Sequence, residues 1–329
     1  MRRVVETCVG LTLAMPVTSG AITELTNLLP TLSGNLRTTN IATQKYHQEL
    51  LWDTNNYAQG QSDLSLRIVA DSQPAPDMHW EVHLVQKLTF RKFETPASLR
   101  GYSIDTSRKD EPYRLISTPW KWGLSNTITT SIDVDRANAK ISAGRTDITV
   151  GRQAISFGKA YFWNPLDIFR PFSSIEFNRD YKSGVDAVRV DAEVGNLSGF
   201  TAIGMVGQIH DKRNKDLSLW YRSVSMGRFF TNLLNWDVAL QIGKILDGYQ
   251  FGSAFAGEVG TIEVRSEAAW FFMHDNKTKT ARSLPAANDH LDMVIGIGKN
   301  IEGGVLQLQL EYYYNGAASG PKTDRFSLI

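Results

Sequence analysis

From Val305 to Tyr314 the chain alternates strictly. Leu306, Leu308, Leu310, Tyr312 and Tyr314 share one side, and Gln307, Gln309 and Glu311 the other. A period of two belongs to an extended strand, whose successive side chains point to opposite faces. The pattern recurs along the chain. Leu291, Met293, Ile295 and Ile297 alternate with Asp292 and two glycines, and Gly303 and Gly304 mark a tight hairpin turn after them. Ile262, Val264, Ala268, Trp270 and Phe272 oppose Glu263, Arg265 and Glu267, and Trp236, Val238, Leu240 and Ile242 oppose Asp237 and Gln241. Nearer the start, Leu64, Leu66 and Ile68 oppose Ser65 and Arg67. After a turn over 73–77, Trp80, Val82, Leu84, Leu88 and Phe90 oppose Glu81, His83, Lys87 and Arg91. Residues 21–32 read as a short helix before the first strand.

Many alternating strands fit either a soluble sandwich or a closed membrane barrel. Three features favour the barrel. The strands run to about 10 residues, enough for a tilted membrane crossing and longer than the usual soluble strand. Aromatic residues gather at strand ends, as Trp80 and Phe90, Trp270 and Phe272, and Tyr312 and Tyr314 do. Connections alternate short and long: 73–77, 144–147 and 195–198 are short, whereas 92–115, 158–183 and 210–216 are longer. No stretch after the leader has the apolar length of a spanning helix. The expected fold is therefore an all-β, antiparallel transmembrane β-barrel.

Charge narrows the partners. With 35 Lys+Arg against 34 Asp+Glu, the chain has no basic footprint for nucleic acid. Met1-Arg2-Arg3, an apolar run to Met15 and the small residues Thr18 to Ala21 describe a secretory signal peptide over 1–21, leaving 22–329 as the barrel. Cys8, the one cysteine, lies in that leader without a lipoprotein context, so the mature chain has no thiol for a disulfide or a metal.

The most informative stretch runs from Asp135 to Asp191. It holds Gly151-Arg152-Gln153-Ala154-Ile155-Ser156-Phe157-Gly158, then Trp163-Asn164-Pro165-Leu166-Asp167-Ile168-Phe169. It closes on Asp186-Ala187-Val188-Arg189-Val190-Asp191. This resembles a family of porin-like outer-membrane barrels of Gram-negative bacteria, distantly similar to the alginate-export barrels, in which a Gly-Arg-Gln strand is followed by a long loop and an Asp-Ala-x-Arg strand. The resemblance implies a passive channel in the cell outer membrane. Its surroundings would be the lipid bilayer and lipopolysaccharide, and its cargo a small hydrophilic solute.

Segment 158–183 is too long for a simple connection and is rich in rings, which argues for an ordered functional loop. Folded into the barrel mouth, it would narrow the pore. Arg152, Lys159, Arg170, Arg179, Asp180, Lys182, Asp186 and Arg189 are the expected constriction residues, with cations in excess and a mild anion preference. Arg152 is awkward, because its parity with Ile148 and Val150 aims it at lipid. A bulge at Gly151 that turns it inward is expected.

Following the loop rhythm gives about 13 strands, whereas single-chain bacterial barrels have an even number. The expectation is a chain missing its C-terminal end. His79, Glu81 and His83 share a strand face about 7 Å apart, too far for one pair to chelate a metal. Gly296-Ile297-Gly298-Lys299 lacks a phosphate loop's spacing and reads as a small inward-facing pair. No cofactor motif and no catalytic constellation is legible, so no enzyme is expected. Two other readings stand beside the channel: a scaffold barrel sheathing a periplasmic electron-transfer or export partner, and a soluble periplasmic β-sandwich.

Overall fold

The computed structural model describes residues 9–14, 30–44, 58–91, 112–125, 127–169, 181–208, 218–273, 289–301 and 306–317. Most of those residues are strand, as the alternation requires. The chain divides into two compact units: 1–107 with 117–139, and 108–116 with 140–329.

The first unit carries β1 (Val9–Ala14), β2 (Thr31–Gln44), β3 (Ala58–Ala75), β4 (Met78–Arg91), the four-residue β5 (Trp120–Gly123) and most of β6 (Ile128–Ala143). Each strand pairs with the next in antiparallel sense, except that β6 follows β4 in the sheet and β5 pairs with β6. β2 begins at Thr31, so residues 31 and 32 are strand where the sequence suggested helix; the rest of 21–32 bar Pro30 lies outside the described residues. β2 has β1 on one edge and β3 on the other.

The second unit carries β7 (Thr146–Gln153), β8 (Val185–Glu193), β9 (Ser198–Val206), the single-turn α1 (Leu219–Arg222), β10 (Ser223–Leu233), β11 (Trp236–Ile245), β12 (Gly248–Val259), β13 (Ile262–Met273), β14 (His290–Ile301) and β15 (Leu306–Asn315). The strands follow chain order, every neighbour antiparallel. Fifteen strands are found among the described residues, fourteen of them in one continuous order with β5 paired to β6, against the about 13 that the loop rhythm suggested; β1 falls within residues 1–21. The rhythm breaks once. β11 and β12 join through Leu246 and Asp247 alone, because Leu246 takes a positive φ of 34° that closes a tight turn. Ile301 pairs with Leu306, and Gly303 and Gly304 lie outside the described residues.

The two faces of the second unit's sheet are opposite in character. Leu240, Ile242, Phe251, Phe255, Trp270, Phe272, Ile295, Ile297, Leu308 and Leu310 are exposed on one face. On the other, Arg228, Gln241, Gln250 and Glu267 are buried among Ala239, Ala254 and Ala269. A water-soluble sheet puts its apolar side inside and its charges outside. Over β11–β15 this sheet does the reverse, while on β8–β10 the covered face also buries Val185, Ile203, Met205, Val224 and Met226.

Candidate functional site

What buries the polar face is the chain itself. Residues 154–169 leave β7 without forming a strand and lie across β10–β15, so the ring-rich loop starts four residues before the boundary read from sequence. An irregular segment must find partners for its backbone polar groups when it is buried. Here the strands supply them. Glu267 on β13 accepts from the backbone N–H groups of Lys159, Ala160 at 2.9 Å and Leu166 at 3.3 Å. Glu311 on β15 accepts from Tyr161, from Phe162 at 2.8 Å and from Trp163 at 3.3 Å. Cationic and amide side chains take the carbonyls. Arg228 donates to Phe157 O at 2.9 Å, Arg265 to Lys159 O at 2.9 Å, Gln250 to Pro165 O at 3.2 Å and Gln241 to Leu166 O at 3.1 Å.

Apolar packing completes the seat. Leu166 is fully buried with Ala239, Ala254 and Ala269. Opposite it, Gly252 leaves the space that Leu166 fills, since a Cβ there would overlap its Cδ2. Gly298 makes the same allowance for the Tyr161 hydroxyl, and Gly296 for the Glu311 stem. The glycine pair that read as merely small is thus a notch shaped for the loop. Ile155, Phe157 and Phe169 pack with Val185, Ala187, Ile203, Met205, Val224 and Met226. Arg228 lies 4.8 Å over the Phe157 ring and Arg265 lies 4.3 Å over the Tyr161 ring. These placements pin rings and cations together.

The candidate residues named from sequence separate into distinct roles. Arg152 is buried and faces Asp186, its cross-strand partner, at 2.6 Å. No bulge turns it: β7 and β8 stay in register from Thr146 to Gln153. The change of phase comes instead from Gly151, whose φ of 115° is open only to glycine and leaves Arg152 and Gln153 both buried. The Arg152–Asp186 pair holds backbone rather than facing open space. Asp186 accepts from Leu115 N–H at 2.8 Å and Ile116 N–H at 3.2 Å, and Arg152 donates to Ile116 O. Arg189 joins Asp191 at 2.7 Å instead of converging with Arg152. Lys182 is buried on Asp167, which also accepts from Ser156 at 3.0 Å. Burial pushes the Asp167 carboxyl up and the Lys182 ammonium down from their ordinary values, each opposed by the attraction of its partner. Lys159, half exposed, reaches Asp237 at 3.2 Å. Arg170, Arg179 and Asp180 lie outside the described residues.

Sequence reasoning put Glu267, Glu311 and Gln241 on polar strand faces without a role and passed over Arg228 and Gln250, though these five do most of the holding. The available signal was their position: polar residues with long side chains on strand faces otherwise built from Ala and Gly. Small residues on a covered face announce that something else occupies the space.

In the first unit the same kind of face carries a charged network. Arg67 on β3 meets Asp135 on β6 at 2.7 Å and donates toward His83 Nδ1 at 3.3 Å. His83 Nε2 lies 2.9 Å from Glu81, which accepts from Asn138 at 2.8 Å. His79 pairs with Asp71 at 2.6 Å. Leu64, Leu66, Ile68, Leu84 and Phe90 are exposed on the reverse side. No family model matches the chain, and no curated protein matches it.

Proposed function

We propose that this protein is a porin-like β-barrel of the Gram-negative outer membrane that passes small hydrophilic solutes by diffusion, with residues 154–169 narrowing the path. The observation that carries the reading is the inverted polarity of the sheets. Leu, Ile, Phe and Trp side chains cover the exposed face, and hydrogen-bonded charges line the covered one. A hydrocarbon solvent favours that arrangement, and in hydrocarbon the edges that β1 and β15 leave unpaired among the described residues would have to be closed. The protein is then a conduit and not a catalyst, embedded in bilayer and lipopolysaccharide.

The ion pairs bear on selectivity. Each described cation expected at the constriction has a carboxylate beside it: Arg152 has Asp186, Lys159 has Asp237, Lys182 has Asp167 and Arg189 has Asp191. Paired charges give a weak net field, so these four cations by themselves add little anion preference. The test is liposome swelling with the purified, refolded chain. Permeation of small sugars and amino acids, falling off with solute size, is expected. Protein that stays in the soluble periplasmic fraction and leaves liposomes tight would overturn the reading.

A further inference from the structure

The loop is attached at two places of different strength. Its base is buried: Leu166 and Glu267 have no exposure, Gln250 holds the Pro165 carbonyl and Gln241 the Leu166 carbonyl. Its tip is not. Phe162 and Trp163 are 36 % and 37 % exposed. Trp163 stacks on Tyr313 of β15 with centroids 5.7 Å apart and rings 7° from parallel, and Phe162 meets Trp163 edge-on at 6.0 Å. What fixes the backbone beneath those rings is Glu311. Its two carboxylate oxygens take the N–H groups of three successive residues, Tyr161, Phe162 and Trp163. Gly296 makes room for the Glu311 stem and Gly298 for the Tyr161 hydroxyl, which reaches Glu263.

We infer that Glu311 is a positioning residue, a latch that keeps the aromatic tip over the charged face and so sets the bore of the channel. The inference rests on the channel reading above. A carboxylate is suited to this task because ionised acceptors form stronger bonds and offer lone pairs on both oxygens. A glutamine in its place has one acceptor oxygen, and its N–H₂ would face either the Tyr161 N–H or those of Phe162 and Trp163. Loss of the latch frees the tip while the buried base stays seated, so the path widens without the barrel unfolding.

The experiment uses the full chain in planar bilayers, with Glu311→Gln as one variant and Gly298→Ala as an independent steric displacement of Tyr161. Both should raise single-channel conductance, on the order of twofold, and add open-state flicker, because conduction follows the narrowest section. Hydrogen exchange read in the same preparations should accelerate at the Tyr161, Phe162 and Trp163 amides of Glu311→Gln, while the Leu166 amide keeps its protection. Wild-type conductance in both variants, with unchanged exchange at the tip, overturns the latch and leaves the channel intact. If the wild-type protein does not conduct, it is the channel reading that fails. The exchange pattern then still decides whether Glu311 holds the tip.

Discussion

Leu234 and Asn235 join β10 to β11 with φ of 53° and 68°, the two positive values a primed two-residue turn needs. Asparagine tolerates that conformation, whereas leucine pays for the contact between its Cβ and its own carbonyl. Leu234 is also almost fully exposed, so it gains nothing by packing. Leu234→Asn should stabilise the folded chain by roughly 1 kcal/mol, measured by urea unfolding in detergent micelles. The buried Asp167–Lys182 pair makes the opposite case. Removing one partner strands the other charge, so Lys182→Met or Asp167→Leu alone should cost about 3–5 kcal/mol, and the double variant should recover most of it. A double-mutant cycle on unfolding free energies checks this, and additive losses would show that the two side chains act independently. At this scale little was legible in advance. Arg152 was expected to turn inward, but the device is a glycine dihedral and not an extra residue, and sequence spacing does not distinguish the two.

Strands and loop were legible to very different degrees. The alternation of Leu64 to Ile68, Trp80 to Phe90, Ile262 to Phe272, Leu291 to Ile297 and Val305 to Tyr314 marked strands, with Leu308 and Leu310 on the apolar side. The structure has β3, β4, β13, β14 and β15 at those places, with both leucines exposed. Period two is a local property, so the sequence carries it directly. Leu240, midway along β11 and exposed, tests what that face meets. Leu240→Arg should cost roughly 2–4 kcal/mol if the face meets hydrocarbon, whereas Gln309→Arg on the covered side should cost far less. An exposed Leu→Arg change in water is nearly neutral, so equal small effects in a folding titration would argue for a soluble sheet. The loop seat depends on volume as well as chemistry. Gly252→Ala drives a methyl into Leu166 and should destabilise by about 1–3 kcal/mol, with Leu166→Ala added to Gly252→Ala restoring part of the loss. A thermal or urea midpoint unchanged by Gly252→Ala would mean that the loop does not sit on β12.

For the molecule as a whole, the pairing of Arg152, Lys159, Lys182 and Arg189 with carboxylates predicts weak ion discrimination from these four cations. In bilayers under a tenfold potassium chloride gradient, the reversal potential should lie close to zero, and neutralising the Arg189–Asp191 pair together should move it little. Replacing Asp191 alone should shift it toward anions, because Arg189 then acts unscreened. A large anion-selective reversal potential in the wild type would restore the preference first read from the cation count.

Hydrophobic alternation by itself determined that this chain is all-β and antiparallel, which side of each strand is apolar, and that a ring-rich loop follows β7. Those facts follow from the period of a strand and from the rarity of structureless loops within ordered protein, and both are readable along the chain. What only the tertiary structure decided is where the loop goes and what keeps it there. Glu267 and Glu311 lie more than a hundred positions from the amides they bind. Gly252 and Gly298 matter only because Leu166 and Tyr161 arrive opposite them. Contacts at such separation are set by sheet register and loop path together, and neither is encoded in any local pattern of residues.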